Sequence, residues 1–267
     1  MTRRELAAGV LAAAAGAAQD RPAPAKPRTM NMGGLIHTMP EQPERIAMLA
    51  YPGMTALDLV GPQQVFGMMG AQAVLTWKTR EPIVTDSGLT LVPGWTFADC
   101  PEPLDMLFVP GGGGPTVRLM SDPAVLSFLA KQGRSARWVA SVCSGSLILG
   151  AAGLLKGYRA TSHWSVREVL ADLGATPVAE RVVEDRNRIT AGGVTSGIDF
   201  GLRIAAKLRG EDFARALELN LEYDPQPPFA SGTPAKAGER IAGPVRKMYA
   251  PLVAAAKTAA AERKESL

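Results

Sequence analysis

From Glu44 to Tyr223 the chain alternates short apolar runs with stretches in which apolar residues recur every three or four positions. Arg45–Tyr51 is an almost unbroken apolar run that ends in Pro52-Gly53, which predicts a strand buried on both faces. Asp105–Val109 and Trp138–Val142 read the same way. Val74–Thr79 predicts a further strand and Leu89–Val92 a short one at a sheet edge. Met54–Met69 has helical spacing, and Pro115–Gln132 predicts a helix broken at Asp122-Pro123. Ser144–Ala152, Trp164–Leu173, Thr195–Leu208 and Asp212–Leu221 are the other predicted helices of the core. Arg181–Thr190 reads as two short strands about the polar turn Glu184-Asp185-Arg186-Asn187. This β-α-β-α order predicts an α/β fold, a mainly parallel sheet sandwiched between helices.

The two ends follow other patterns. Arg3-Arg4 precede a small and apolar run from Leu6 to Ala18 that closes on Ala15-Gly16-Ala17-Ala18. A basic start, an apolar centre and a small-residue end predict a signal peptide over residues 1–19, and the arginine pair fits the twin-arginine route. An Ala-rich helix of the folded domain is the alternative. Residues 20–43 hold Pro22, Pro24, Pro27, Pro40 and Pro43 with no period, which reads as a linker. The apolar run is shorter than the roughly 20 residues of a membrane span. An exported, periplasmic protein without stable membrane insertion is therefore expected, with a cytoplasmic one as the alternative. At the other end, Tyr223 leads into Asp224-Pro225-Gln226-Pro227-Pro228-Phe229. Residues 44–230 then form the domain and 231–267 an arm, with a helix predicted over Pro244–Leu267. Such a helix packs either on a neighbouring subunit or back on its own domain.

Composition narrows the function classes. Of the 267 residues, 46% are hydrophobic and 20% charged, which is ordinary globular usage. Two cysteines and two histidines exclude a disulfide scaffold and argue against a four-ligand zinc site. A net charge of +4 is too small to point to nucleic acid. No metal or cofactor is expected.

Candidate chemistry lies at three junctions where predicted strands end, the place where open α/β sheets gather their sites. In Trp138-Val-Ala-Ser-Val-Cys143-Ser144-Gly145-Ser146 a cysteine follows a buried strand and opens a small-residue helix. That arrangement resembles a nucleophile elbow, and a helix amino terminus favours the thiolate. A buried structural cysteine is the bland alternative. The run Val109-Pro110-Gly111-Gly112-Gly113-Gly114 offers backbone N–H groups for a developing anion, or is simply a flexible turn. It has neither the Lys of a P-loop nor the third Gly of a dinucleotide fingerprint. Asp58 is the lone charge in Tyr51-Pro-Gly-Met-Thr-Ala-Leu-Asp58-Leu-Val-Gly-Pro. It reads equally as a buried proton carrier and as the partner of Thr55 in a capping box. His163 reads as a base for Cys143, a helix cap or a core histidine. Cys100 sits in a turn-rich stretch and reads as structural.

These segments, with Ala160-Thr-Ser-His163-Trp and Ala191-Gly-Gly-Val194-Thr-Ser-Gly-Ile-Asp199-Phe, resemble the PfpI superfamily. The Tyr223–Phe229 stretch points to its isonitrile hydratase-like branch. The resemblance runs from about Arg45 to the carboxyl terminus. It implies a flavodoxin-like, class I glutamine amidotransferase-like fold, a small-molecule substrate and a homodimer. Cys143 would be the nucleophile and Asp58 the acid/base. Gly112 and Ser144 would offer N–H groups, with the Ser144 side chain beside the reacting group and the Val194 backbone near the thiol. Gly111 and His163 would line the pocket. Peptidase-like members carry His directly after the cysteine where this chain has Ser144, which disfavours proteolysis. The hydratase pattern carries Thr there, and serine keeps the hydroxyl without the methyl. Hydration of an isonitrile to an N-substituted formamide is the leading expectation. A ligand-sensing domain of the AraC-associated kind and glyoxalase- or deglycase-like chemistry are the alternatives.

Overall fold

The computed structural model describes residues 42–264. The expected signal peptide, all but the end of the expected linker and the last three residues lie outside them. β1 (Arg45–Leu49), β6 (Met106–Val109) and β7 (Trp138–Val142) form the centre of a seven-stranded sheet. β2 (Gln72–Trp77) and β5 (Trp95–Thr96) extend it on one side, β11 (Arg188–Ala191) and β10 (Val182–Asp185) on the other. The order is β10-β11-β7-β6-β1-β2-β5, and only the β10–β11 pair is antiparallel. In register, Met48, Phe108, Ala140 and Ile189 form one row across four strands. All four are buried, as expected of strands covered on both faces.

Helices flank the sheet. α1 (Ala56–Met68) packs closely on α6 (Ser196–Arg209), with Phe66 and Phe200 edge to face at 6.1 Å and Phe108 beneath them. α2 (Gly114–Leu119) and α3 (Pro123–Ser135) divide where Pro123 predicts, because Asp122 accepts the Ala124 and Val125 amides at 3.1 Å as an N-cap. α4 (Gly145–Ala151) follows β7, and α7 (Glu211–Asn220) follows α6.

Several expected elements change. Leu89–Val92 yields only β4 (Thr90–Leu91), in a hairpin with β3 (Ile83–Val84) outside the main sheet. β5 takes the edge beside β2 instead. Leu89 and Val92 stay about half exposed, and of this run only Leu91 packs against the core. The strand expected over Val74–Thr79 begins at Gln72 and ends at Trp77. Of the helix expected over Trp164–Leu173 only α5 (Val169–Asp172) forms. Its start is lost because His163 Nδ1 bonds Ser165, offering the backbone a turn in place of a helical ladder. A short parallel pair, β8 (Arg159–Ala160) with β9 (Thr176–Pro177), was not anticipated.

After α8 (Pro234–Ala237), the last helix, α9 (Glu239–Lys264), starts five residues before Pro244 and runs through both Pro244 and Pro251. Each proline forgoes one main-chain bond. Docking compensates: α9 lies on α2, α4 and α5, Ala256, Ala259 and Ala260 are buried, and Arg263 Nε donates to Ala151 O at 3.1 Å. The arm therefore turns back on its own domain, and it gives no argument for a neighbouring subunit. Among the described residues no helix is long and apolar enough to cross a membrane.

Candidate active site

β1, β6 and β7 end side by side, which brings the three junctions together. Cys143 leaves β7 at φ 58°, in the left-handed region that a non-glycine residue enters at a cost of roughly 1–3 kcal/mol. Its surroundings hold it there. The Cys143 N–H donates to Ala191 O at 3.0 Å and Gly192 O at 2.9 Å, and its carbonyl accepts Ser162 Oγ at 3.0 Å and Ser146 Oγ at 3.3 Å. Gly145 makes the turn possible, because a Cβ there would collide with Val109 O and stand 2.7 Å from Pro110 O. The elbow read from the sequence is thus formed, and the thiol faces a cavity of about 230 Å³.

The surroundings of the thiol work against the expected thiolate. Burial pushes the Cys143 thiol well above its ordinary value, and the neighbouring Asp58 carboxylate pushes the same way. The Ser144 N–H opposes this only in part.

Asp58 is fully buried. Its Oδ2 accepts the Gly111 N–H at 2.9 Å, while Oδ1 has no hydrogen-bond partner. The capping-box reading fails: the Thr55 side chain caps nothing, and Asp86 Oδ1 accepts the Ala56 N–H at 3.0 Å instead. Burial pushes Asp58 up to about 7, against the pull of the Gly111 N–H and the nearby thiol. Beside Cys143 lies a carboxyl that gains or loses a proton near neutrality.

Ser144 and Gly112 are placed differently from expectation. Tyr51 O–H donates to Pro110 O at 3.0 Å, so its oxygen accepts from Thr116 Oγ1 at 2.9 Å. Thr116 has then spent its proton, and Ser144 Oγ must donate to it at 3.1 Å. Ser144 Oγ in turn accepts the Gly112 N–H at 3.2 Å. The polarity of the whole chain is fixed by one carbonyl. In this state the Ser144 proton lies towards Thr116 while Oγ stays in hydrogen-bond reach of the Cys143 thiol, and the Gly112 N–H is engaged by Ser144 and not free for an anion. Both residues still line the cavity, as does Val194. Gly111 does not; it lies beneath, holding Asp58.

His163 lines the cavity, but its Nδ1 is committed to Ser165 at 2.8 Å. Burial lowers its pKa, and among the described residues no hydrogen bond joins it to Cys143. It acts here as a wall. Cys100 is a free, partly buried thiol pushed up to about 12 by burial. Tyr51, Thr116, Asp86 and the cavity-lining Tyr249 were not singled out in the sequence. Only Tyr51, sharing its motif with Asp58, carried any signal. Among the described residues no cluster of His, Cys, Asp or Glu is arranged to hold a metal ion.

Comparison with known proteins shows the family. Residues 44–207 match the family model described as the DJ-1/PfpI family. The chain is 48% identical over 208 residues to isonitrile hydratase of Pseudomonas putida, covering 78% of this chain and 90% of that one. It is 28% identical over 148 residues to deglycase TK1284 of Thermococcus kodakarensis, covering 55% and 89%. A crystal structure of a THiJ/PfpI family protein from Pseudomonas syringae superposes with a TM-score of 0.83 at 48% identity, covering 86% of this chain and 96% of that one. On fold and sequence, the chain belongs to the DJ-1/PfpI family.

Proposed function

We propose that the protein is a hydro-lyase that hydrates an isonitrile to the N-substituted formamide through a thioimidate on Cys143. One observation carries the chemistry: a thiol at a strained elbow opens on a cavity beside a buried carboxyl that has no cation partner. The likeness to the P. putida isonitrile hydratase supports the substrate class.

The steps balance without a metal or organic cofactor. Ionised Asp58 takes the Cys143 proton as Sγ bonds to the terminal carbon of R–N≡C. Asp58 then delivers that proton to the same carbon, leaving R–N=CH–S–Cys143. Ionised again, it takes one proton from water as the oxygen adds to the carbon and passes it to the nitrogen, giving R–NH–CH(OH)–S–Cys143. Asp58 then takes the hydroxyl proton as the C–S bond breaks, releasing R–NH–CHO, and returns that proton to the thiolate. Splitting the addition in two keeps each barrier low. Because the cycle starts with ionised Asp58, kcat/KM falls as pH drops below about 7.

The test is formation of the formamide from an aliphatic isonitrile by the purified protein. The reading expects turnover in the parent and a loss of at least about 10³-fold in Cys143→Ala. No formamide from the parent, or equal rates in the two proteins, would overturn it, and activity on methylglyoxal alone would favour the glyoxalase- or deglycase-like alternative. A pure ligand-sensing role is disfavoured by the opening of Cys143 to the cavity. Export, which rests on residues 1–19, is proposed with it and is tested by cell fractionation and sequencing of the mature amino terminus. A homodimer is proposed from the family resemblance and from Leu57, Val60, Val84 and Leu89, exposed beside the site. Sedimentation tests it.

A further inference from the structure

A row of hydroxyls runs from the reacting end of the cavity into the core. Ser144 Oγ stands 3.1 Å from Thr116 Oγ1, Thr116 Oγ1 stands 2.9 Å from the Tyr51 oxygen, and Tyr51 reaches Pro110 O at 3.0 Å. Ser144 belongs to the elbow, Thr116 to α2, Tyr51 to the chain just after β1 and Pro110 to the chain just after β6. All three side chains are buried. Two glycines let the row close. A Cβ on Gly111 would stand 2.6 Å from Ser144 Oγ, and one on Gly112 would stand 3.2 Å from the Tyr51 oxygen. No step of the proposed reaction uses Tyr51 or Thr116.

Each hydroxyl has one proton to give and two lone pairs, so the row has two complete arrangements. In the first the protons run inward, from Ser144 to Thr116, from Thr116 to Tyr51 and from Tyr51 to Pro110 O. Ser144 then meets the Cys143 sulfur with a lone pair. In the second they run outward, from Tyr51 to Thr116, from Thr116 to Ser144 and from Ser144 to the sulfur. Ser144 Oγ accepts the Gly112 N–H in both. The arrangements differ by one bond: the inward one keeps Tyr51 on Pro110 O, and the outward one exchanges that bond for Ser144 on sulfur. A thiol carries its own proton and needs no donor, whereas a thiolate only accepts. Hydrogen bonds to an ionised acceptor are the stronger kind, so charge on the sulfur favours the exchange.

From this geometry we infer that Tyr51 and Thr116 are positioning residues that set the direction of the Ser144 hydroxyl, inward while Cys143 is a thiol and outward onto the sulfur once it is a thiolate. Pro110 O is the competitor that holds the row inward at rest. The other groups around the sulfur do not replace this donor. Asp58 on α1 and Asp86 between β3 and β4 are acids. His163 has its Nδ1 on Ser165, and burial favours its neutral form. Tyr249 of α9 lines the cavity, and the Ser144 N–H faces the sulfur in either arrangement.

Cutting the row should therefore make the thiol more reactive. In Tyr51→Phe, Thr116 has no inner acceptor and donates to Ser144, whose proton turns to the sulfur. In Thr116→Val, Ser144 has no inner acceptor at all. The probe is iodoacetamide near neutral pH, with the Cys143 adduct followed by intact mass and the contribution of Cys100 subtracted using Cys143→Ala. Removing the competing bond lowers the midpoint for thiolate formation by about one pH unit, the worth of one hydrogen bond. The thiolate is then about tenfold more abundant but less nucleophilic, so alkylation is expected to be roughly threefold faster in both variants. Thr116→Ser, which keeps the hydroxyl, returns the rate to that of the parent. The gain also requires Ser144: added to Ser144→Ala, neither substitution changes the rate. Either variant carries the test if the other does not fold. Unchanged or slower alkylation in a folded variant overturns the inference. So does a gain that persists in Ser144→Ala, because loosened packing would produce it without the hydroxyl. Iodoacetamide reads the thiol directly, so the outcome stands apart from the isonitrile reading, which formamide production by the parent decides.

Discussion

Two buried carboxyls stand at opposite ends of β1, and they behave as opposites. Glu44, just before the strand, makes a two-pronged pair with Arg209, one prong at 2.6 Å, and both side chains are almost fully covered. Asp58, beyond the strand's other end, is fully buried with one amide donor and no cation. The same functional group at the same depth is tied into the fold in one place and left titratable in the other. Burial alone therefore does not single out a candidate acid; burial without a paired charge is what makes Asp58 the proposed one.

The largest effect that would break this contrast is kinetic. Asp58→Asn should lower kcat/KM for the isonitrile by about 10²–10⁴-fold and remove the limb near pH 7. Unchanged turnover would make Asp58 a structural group like Glu44. Next, Arg209→Leu should cost about 3–5 kcal/mol in denaturant unfolding, because it strands the Glu44 charge. Adding Glu44→Leu should recover most of that loss.

The third effect has the opposite sign. Below about pH 4 Asp58 is protonated whether the chain is folded or not, so it contributes nothing. Between about 4 and 7 the unfolded chain ionises while the folded one keeps its proton, and stability is lost up to a plateau above 7. Asp58→Asn should therefore stabilise the protein, by on the order of 4 kcal/mol at most at pH 8 and far less at pH 4. Thermal midpoints at the two pH values check this. The smallest effect belongs to an exposed pair: Lys78→Ala, which removes the partner of Asp122, should change stability by less than about 1 kcal/mol.

Much of the scaffold was legible because strand signals are local. The runs ending at Tyr51, Val109 and Val142 became the three central strands, the first stopping two residues early at Leu49, and Cys143 was found from the strand–turn–helix pattern around it. Local signals failed where distant residues compete. Trp95–Thr96 displaced Leu89–Val92 from the sheet edge, and the Gly111 carbonyl took the Thr55 N–H that a capping Asp58 would have accepted. Tyr249 lies about a hundred residues from Cys143 on a helix whose prolines argue for a later start, so no spacing rule could bring it to the cavity.

The three central strands and the elbow with its obligatory glycine follow from neighbours in the chain, and the sequence determined them. The place of each strand in the sheet and the protonation of the site do not. The thiol and carboxyl are held above their ordinary values by the depth at which β1, β6 and β7 end, the Ser144 hydroxyl is aimed by a carbonyl 34 residues away at Pro110, and the cavity wall is closed by α9. Each depends on what surrounds a group in space, and only the packed chain sets the dielectric, the partners and the walls.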